Sequence, residues 1–304
     1  MGPTVGVVIC TRGDRPRLLR AALDGVLGQD YPGHITVTVV FDRCPPDEAL
    51  RLDRPGRRVL VTGNSRAANV AGARNSGVLA LPDTDLIAFC DDDDEWLPGK
   101  LAAQVAALEP GDVLAACGMV LAYSGWAVDR VLAARRIELA DLLVSRVAEA
   151  HPSSFLARRT DLVERVGLFA EDIPGGYGED YDLLLRAAKA APIRYVPIVG
   201  VRVRVHGRSS HFTGRWPTIA AAHEWLLDAH PEFARTRRGR ARLTGQIALA
   251  HAASARRAPA LRWSWRTLRT WPLEPRVYAA LAIAARLITV ERLIRLLEAR
   301  GVGT

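Results

Sequence analysis

Four short apolar runs constrain the fold of this chain more than any other feature. Thr4–Cys10, Ile35–Phe41, Arg57–Thr62 and Leu86–Cys90 are rich in β-branched and other apolar residues and read as strands. Between and after them, Arg15–Gly28, Ala67–Leu81 and Lys100–Leu108 carry helical patterning, the last beginning near Pro98. Strands this apolar are buried on both faces. Repeated βα units of this kind predict an α/β fold, with a mostly parallel sheet covered by helices on both sides.

The rest of the chain is organised differently. From Val113 to His211 the pattern is mixed, with an expected strand at Val113–Leu121 and a helix at Ile137–Val147. A Gly-rich turn at Gly175–Gly178, a helix at Asp180–Ala190 and an extended stretch at Arg194–Val205 follow. Beyond Arg215 the reading is helical, broken by Pro231, Pro259, Pro272 and Pro275. We therefore expect an α/β domain over 1–211 and a helical C-terminal region over 212–304. That second region holds 16 of the 41 basic and 6 of the 33 acidic residues, a net of +10, against −2 for the remainder (25 basic, 27 acidic). It also holds five of the seven tryptophans: Trp216, Trp225, Trp263, Trp265 and Trp271. A basic, Trp-containing region on an acid-tipped body predicts an anionic partner, an acidic substrate or a membrane surface.

With 49 % hydrophobic and 24 % charged residues over 304 positions, the chain is neither disordered nor a small disulfide-stapled module. No charge-free apolar run reaches the ~18–20 residues that span a bilayer. The Met-Gly-Pro-Thr start matches no secretory signal, and Gly6 breaks a myristoylation pattern. Cys10, Cys44, Cys90 and Cys117 are widely spaced and read as reduced thiols rather than metal ligands. The expected location is the cytoplasm, with peripheral contact at the inner face of an anionic membrane.

Neither a G-x-G-x-x-G fingerprint nor a P-loop occurs. Ligands of open α/β sheets nonetheless gather at the carboxyl ends of strands. Those ends here present Thr11 and Arg12, Asp42, and Asp91 to Asp94. The run Asp91-Asp92-Asp93-Asp94-Glu95 after an apolar strand is electrostatically costly unless a cation offsets it, and hard divalent cations prefer carboxylate oxygen. Its plainer reading is a solvated acidic turn. Gly176-Tyr177-Gly178-Glu179-Asp180-Tyr181-Asp182 delivers two adjacent acids to the start of a helix, as a cap or as a general base. On spacing alone the cap is favoured. In Val203-Arg204-Val205-His206-Gly207-Arg208-Ser209-Ser210-His211, a histidine suits a metal and Arg204 or Arg208 a phosphate.

In their order, these motifs resemble the family 2 glycosyltransferases, whose fold is called GT-A. The matching segments are Val7-Val8-Ile9-Cys10-Thr11, Val39-Val40-Phe41-Asp42 and Ala73-Arg74-Asn75-Ser76-Gly77. Further on come Asp91 to Asp94 with Glu95-Trp96-Leu97-Pro98-Gly99-Lys100-Leu101, and Gly178-Glu179-Asp180-Tyr181-Asp182-Leu183. The resemblance spans about residues 4–211. With Asp91 and Asp93 placed on the family's Asp-x-Asp pair, Trp96-Leu97-Pro98 falls at the usual distance. Arg43-Cys44-Pro45-Pro46 replaces the longer polar stretch that usually follows the second-strand Asp.

The resemblance implies a nucleoside-diphosphate sugar bound by Thr11, Arg12, Asp42, Arg74, Asp91 and Asp92. It also implies Mg²⁺ or Mn²⁺ on Asp93 and Asp180 as the base of an inverting transfer to an acceptor hydroxyl. From its polar, Gly-containing loop, His206 is expected as a further metal ligand. The rival readings are a non-catalytic, membrane-associated module on the same scaffold and a metal-dependent phosphohydrolase. Against the phosphohydrolase, Glu95 stands where such enzymes carry Thr or Val. Nucleic acid is not an expected partner, because the helices carry no reading motif.

Overall fold

The protein, described from a computed structural model over residues 2–205 and 214–298, divides into two compact units. The first comprises Met1–Leu142, Val147–Asp172 and Glu179–Ser209; the second comprises Leu143–Arg146, Ile173–Gly178 and Ser210–Thr304.

The first unit opens with β1 (Val5–Thr11), α1 (Pro16–Leu27), β2 (Ile35–Phe41), β3 (Leu52–Arg54), β4 (Arg57–Gly63) and α2 (Val70–Leu79). β5 (Leu86–Asp91), β6 (Glu95–Trp96), α3 (Lys100–Ala107), β7 (Leu114–Tyr123), β8 (Trp126–Arg130) and β9 (Arg136–Ile137) follow. After α4 (Leu139–Val144), which runs on into the second unit, come β10 (Leu156–Arg158), α5 (Glu179–Ala190) and β11 (Ile193–Arg204). The strands form one sheet in the order β3-β4-β2-β1-β5-β10-β7-β11-β6, with β8 beside β7 and β9 beside β11. β4, β2, β1 and β5 are mutually parallel, as are β7 and β11.

The four predicted strands are all present, within one residue at their ends. What differs is the centre of the sheet, where β10 runs antiparallel between β5 and β7. At three residues it is too short to leave a periodic signal. The helix expected over Ile137–Val147 contracts to α4, because Arg136 and Ile137 pair with β11 instead.

Side chains of β1, β2 and β5 supply the core, with Val7, Ile9, Val37, Val39 and Ala88 fully buried. α2 lies against this sheet through Gly77, where a Cβ would meet Val8 Cγ1 at 2.3 Å. The second unit is built from α6 (Trp216–Ala229), α7 (Arg237–Ala253), α8 (Arg257–Thr270), α9 (Pro275–Ala284) and α10 (Val290–Glu298). Its core is alanine-rich, with Ala248, Ala252, Ala260, Ala280 and Ala284 clustered beneath Trp263. Among the described residues no helix is long and apolar enough to cross a membrane.

Candidate active site

Parallel register brings the predicted strand ends together. Cys10 pairs with Asp91 and Thr11 with Phe41, while Asp42 N–H donates to Thr11 O (2.8 Å). Thr11, Asp42 and Asp91 therefore stand side by side on one rim.

Beyond β5 the chain turns, with Asp94 N–H donating to Asp91 O (3.1 Å). The four aspartates alternate in burial. Asp92 and Asp94 are almost inaccessible, whereas the Asp91 and Asp93 side chains are 29 % and 21 % exposed. The buried pair is anchored. Asp92 accepts from Thr11 Oγ1 (2.6 Å) and Arg15 Nη2 (2.5 Å). Asp94 accepts from Ser153 Oγ (2.5 Å) and lies 3.4 Å from His151 Nδ1. Burial lifts Asp92 to about 6 despite the Thr11 bond and Arg15, with Asp93 and Asp91 adding repulsion. Asp94 is likewise raised by burial, against the pull of His151. Asp93 is ion-paired to Arg15. Ligand atoms of Asp91, Asp94 and His151 lie within 4.8 Å of one another, a donor set of carboxylate oxygen and imidazole nitrogen that fits a divalent cation.

Arg74 is the hub of the buried side. Its Nη2 donates to Asp91 Oδ1 (2.8 Å) and its Nη1 to Glu179 Oε1 (2.7 Å), with the guanidinium 5.1 Å from the centre of the Phe169 ring. Burial opposes the charge on Asp91, but Arg74 outweighs it and holds the carboxyl below its ordinary range. The approach to α5 uses Gly175, Gly176 and Gly178 at φ 64°, 69° and 85°, a backbone only glycine adopts without strain. α5 then opens with Glu179 and Asp180 in its first turn, where the helix dipole favours acids. Asp180 Oδ1 accepts from Tyr181 N–H (2.8 Å), and the Asp180 charge is close enough to Asp91 to disfavour ionisation there.

Asp42 is buried, accepts from Asn64 Nδ2 (2.8 Å), and ends the strand next to a cleft of about 280 Å³. Arg12, Arg20, Phe41, Cys44 and Leu50 are among the residues lining it. Arg12 is exposed at its edge, whereas the Thr11 hydroxyl is committed to Asp92. Arg204 donates to Glu95 (3.2 Å) at the end of β11. His206, Arg208 and His211 lie outside the described residues.

The structure thus groups Thr11, Arg12, Asp42, Arg74, Asp91, Asp92, Asp93 and Asp180 within the first unit. It adds four residues that the sequence reading gave no role in the site. Arg15, which precedes α1, and Cys44, two residues after Asp42, were findable because they follow strand ends already marked. His151 and Ser153 were not, because neither periodicity nor a charge run points to them.

The family model described as glycosyl transferase family 2 matches residues 6–162. YwdF of Bacillus subtilis, named as an uncharacterized glycosyltransferase, is 27 % identical over 204 residues, covering 65 % of this chain and 72 % of its own. A crystal structure of S. aureus TarS 1-349 in complex with UDP-GlcNAc superposes with a TM-score of 0.62 at 14 % identity, covering 98 % of this chain and 92 % of that one. The mannosyltransferase PcManGT from Pyrobaculum calidifontis, in complex with GDP-Man and Mn²⁺, gives 0.56 at 18 % identity, covering 99 % and 81 %. The parallel strand ends, the Asp run after β5 and the acids opening α5 lie on the fold that these proteins share. This chain belongs to glycosyl transferase family 2 and is a glycosyltransferase with the GT-A fold.

Proposed function

We propose that the chain transfers a sugar from a nucleoside diphosphate to an acceptor hydroxyl with inversion at the anomeric carbon. The observation that carries this reading is Arg74, which bonds both Asp91 on the strand-end rim and Glu179 beside Asp180. One guanidinium thereby holds the sugar-nucleotide carboxylate and the base-bearing helix in a fixed relation. The acceptor oxygen attacks the anomeric carbon as the bond to the diphosphate breaks, and the electron pair leaves on the phosphate oxygen. The hydroxyl proton passes to Asp180, a role that places one general base opposite the leaving group. The cleft beside Asp42 takes the nucleoside, with Arg12 at its edge, while Thr11 and Asp92 brace the loop.

A divalent cation, Mn²⁺ or Mg²⁺, supplies Lewis-acid stabilisation of the leaving diphosphate when bound. Asp91 and Asp93, the partly exposed carboxylates of the run, are the residues that would hold it. Ser153 buttresses this corner, its hydroxyl accepting from Asp91 N–H (3.0 Å) and donating to Asp94 (2.5 Å), and an all-carboxylate pair suits Mn²⁺ or Mg²⁺. The Mn²⁺ and sugar-nucleotide complexes of the structural neighbours support this choice of ligand class. Four free cysteines suit the cytoplasm, where sugar nucleotides are made.

Titration of Mn²⁺-dependent nucleoside diphosphate binding tests the assignment. Asp93→Ala is expected to weaken it at least tenfold more than His151→Ala. The reverse order would move the cation to the Asp91–Asp94–His151 set. Donor binding and turnover unchanged by chelation would remove the metal from the reading.

A further inference from the structure

One surface of the second unit takes no part in this chemistry. From Phe233 to Leu273 the sequence carries ten arginines and neither Asp nor Glu. α8 lies within that stretch, and its sides are sharply divided. Ala260, Ser264 and Thr267 are buried. Leu261, Arg262, Trp265, Arg266 and Arg269 are exposed, at a spacing that places them on one face of the helix. Trp265 is 62 % exposed, with the Arg269 guanidinium 5.9 Å from its ring centre. The structure separates the tryptophans that lie close together in the sequence. Trp263 packs on the alanine core and is covered by Arg266 at 4.6 Å, and Trp271 is half-buried, so Trp265 is the aromatic that α8 turns outward. Just past the helix, Leu273 is 74 % exposed, and the next acid, Glu274, is buried and held by Arg276 (2.7 Å).

We propose that this face of α8 docks on an anionic phospholipid surface. A stable, free protein surface normally mixes both charge signs and hides its tryptophans. Here three arginines flank an outward Trp and Leu, and among the described residues none of the three is ion-paired to an acid. That composition matches the headgroup layer, where an indole ring sits between water and acyl chain while guanidinium groups meet lipid phosphates. The long, flexible stems of Arg262, Arg266 and Arg269 allow their charges to reach the phosphate plane as Trp265 and Leu261 enter it. The occupant is fixed by charge: a zwitterionic surface offers no net attraction, whereas phosphatidylglycerol does.

The test is flotation of the full chain with phosphatidylcholine vesicles, with and without phosphatidylglycerol. The sample contains no sugar nucleotide, so failure here leaves the transfer reading untouched. Binding is expected only to the anionic vesicles. It should be lost when the Debye length falls from about 8 Å to about 3 Å in 1 M salt. The surface variant Arg262→Glu/Arg266→Glu/Arg269→Glu should weaken binding by on the order of 100-fold, at about fivefold for each lost cation. Trp265→Ser should weaken it while leaving the salt slope unchanged, which a purely electrostatic contact would not show. Equal recovery with neutral vesicles, no flotation at all, or a triple variant that binds like the parent would each overturn the proposal. Binding to duplex DNA without binding to vesicles would overturn it too, in favour of a nucleic-acid surface.

Discussion

At the scale of single residues, the site depends on how four adjacent aspartates are told apart. Their charges are alike, but alternation along the turn buries Asp92 and Asp94 against Thr11, Arg15 and Ser153 while leaving Asp91 and Asp93 open. The choice between cap and base for Asp180 is open to the same kind of argument. The bond that Asp180 accepts from Tyr181 N–H is one that an amide oxygen can also accept. Asp180→Asn is therefore expected to keep the fold and nucleotide affinity but to lower sugar transfer by 10²–10⁴-fold, about 3–5 kcal/mol of barrier. Transfer within about threefold of the parent would leave Asp180 a helix cap and nothing more. Much of this site was legible in the sequence, since Thr11, Asp42 and the Asp run follow readable strands, while Arg74, inside α2, was marked only by the family resemblance of Ala73 to Gly77. His151 and Ser153 were not legible, because they sit in and just before the short 3-10 turn Pro152–Ser154, whose approach to the Asp run depends on tertiary contacts alone.

At the scale of elements, legibility followed burial and length. β1, β2 and β5 are buried parallel strands, whereas β4 buries only Val59 and Val61 and so is not covered on both faces as its sequence predicts; their apolar runs still mark all four within a residue. β6, β9 and β10 have two or three residues each, and β8 is mostly exposed, so none carries a pattern that separates it from loop. The Gly-Asn-rich character of α2 also runs against helix propensity, yet close packing explains it. Asn75 bonds Phe169 O (2.9 Å) and Glu171 (2.7 Å), and Gly77 admits Val8 and Val40. Gly77→Ala should raise intrinsic helix propensity but force a Cβ to within 2.3 Å of Val8 Cγ1 and 3.1 Å of Val40 Cγ2. The expected net effect is a loss of about 1–3 kcal/mol in denaturant unfolding, partly recovered by Val8→Ala. A more stable Gly77→Ala protein would show that propensity, not packing, governs this helix.

For the molecule as a whole, net charge is uneven, −2 over residues 1–211 and +10 over residues 212–304. One buried charge stands apart. Lys100 is fully buried, 3.6 Å from the centre of the Trp96 ring, with Nζ donating to Gln104 Oε1 (2.7 Å). Burial lowers it from 10.5 to about 8, with Cys117 and Cys90 opposing the shift. Below pH 8 both folded and unfolded chains hold this proton, and the folded state bears the whole penalty. Between about 8 and 10.5 only the unfolded chain keeps it, so the contribution to stability rises with pH by roughly 3 kcal/mol. The difference in unfolding free energy between the parent and Lys100→Met should follow that rise, and a difference flat across the window would mean that Lys100 titrates normally. Whether the sugar-nucleotide site works through a divalent cation is decided by thermal unfolding with a panel of nucleoside diphosphates, with Mn²⁺ or with chelator. At least one of them, at about 100 times its Kd, is expected to stabilise the protein by ~2.7 kcal/mol with Mn²⁺ and by far less with chelator. No stabilisation by any nucleoside diphosphate, or stabilisation equal in chelator, would contradict a cation-dependent sugar-nucleotide site.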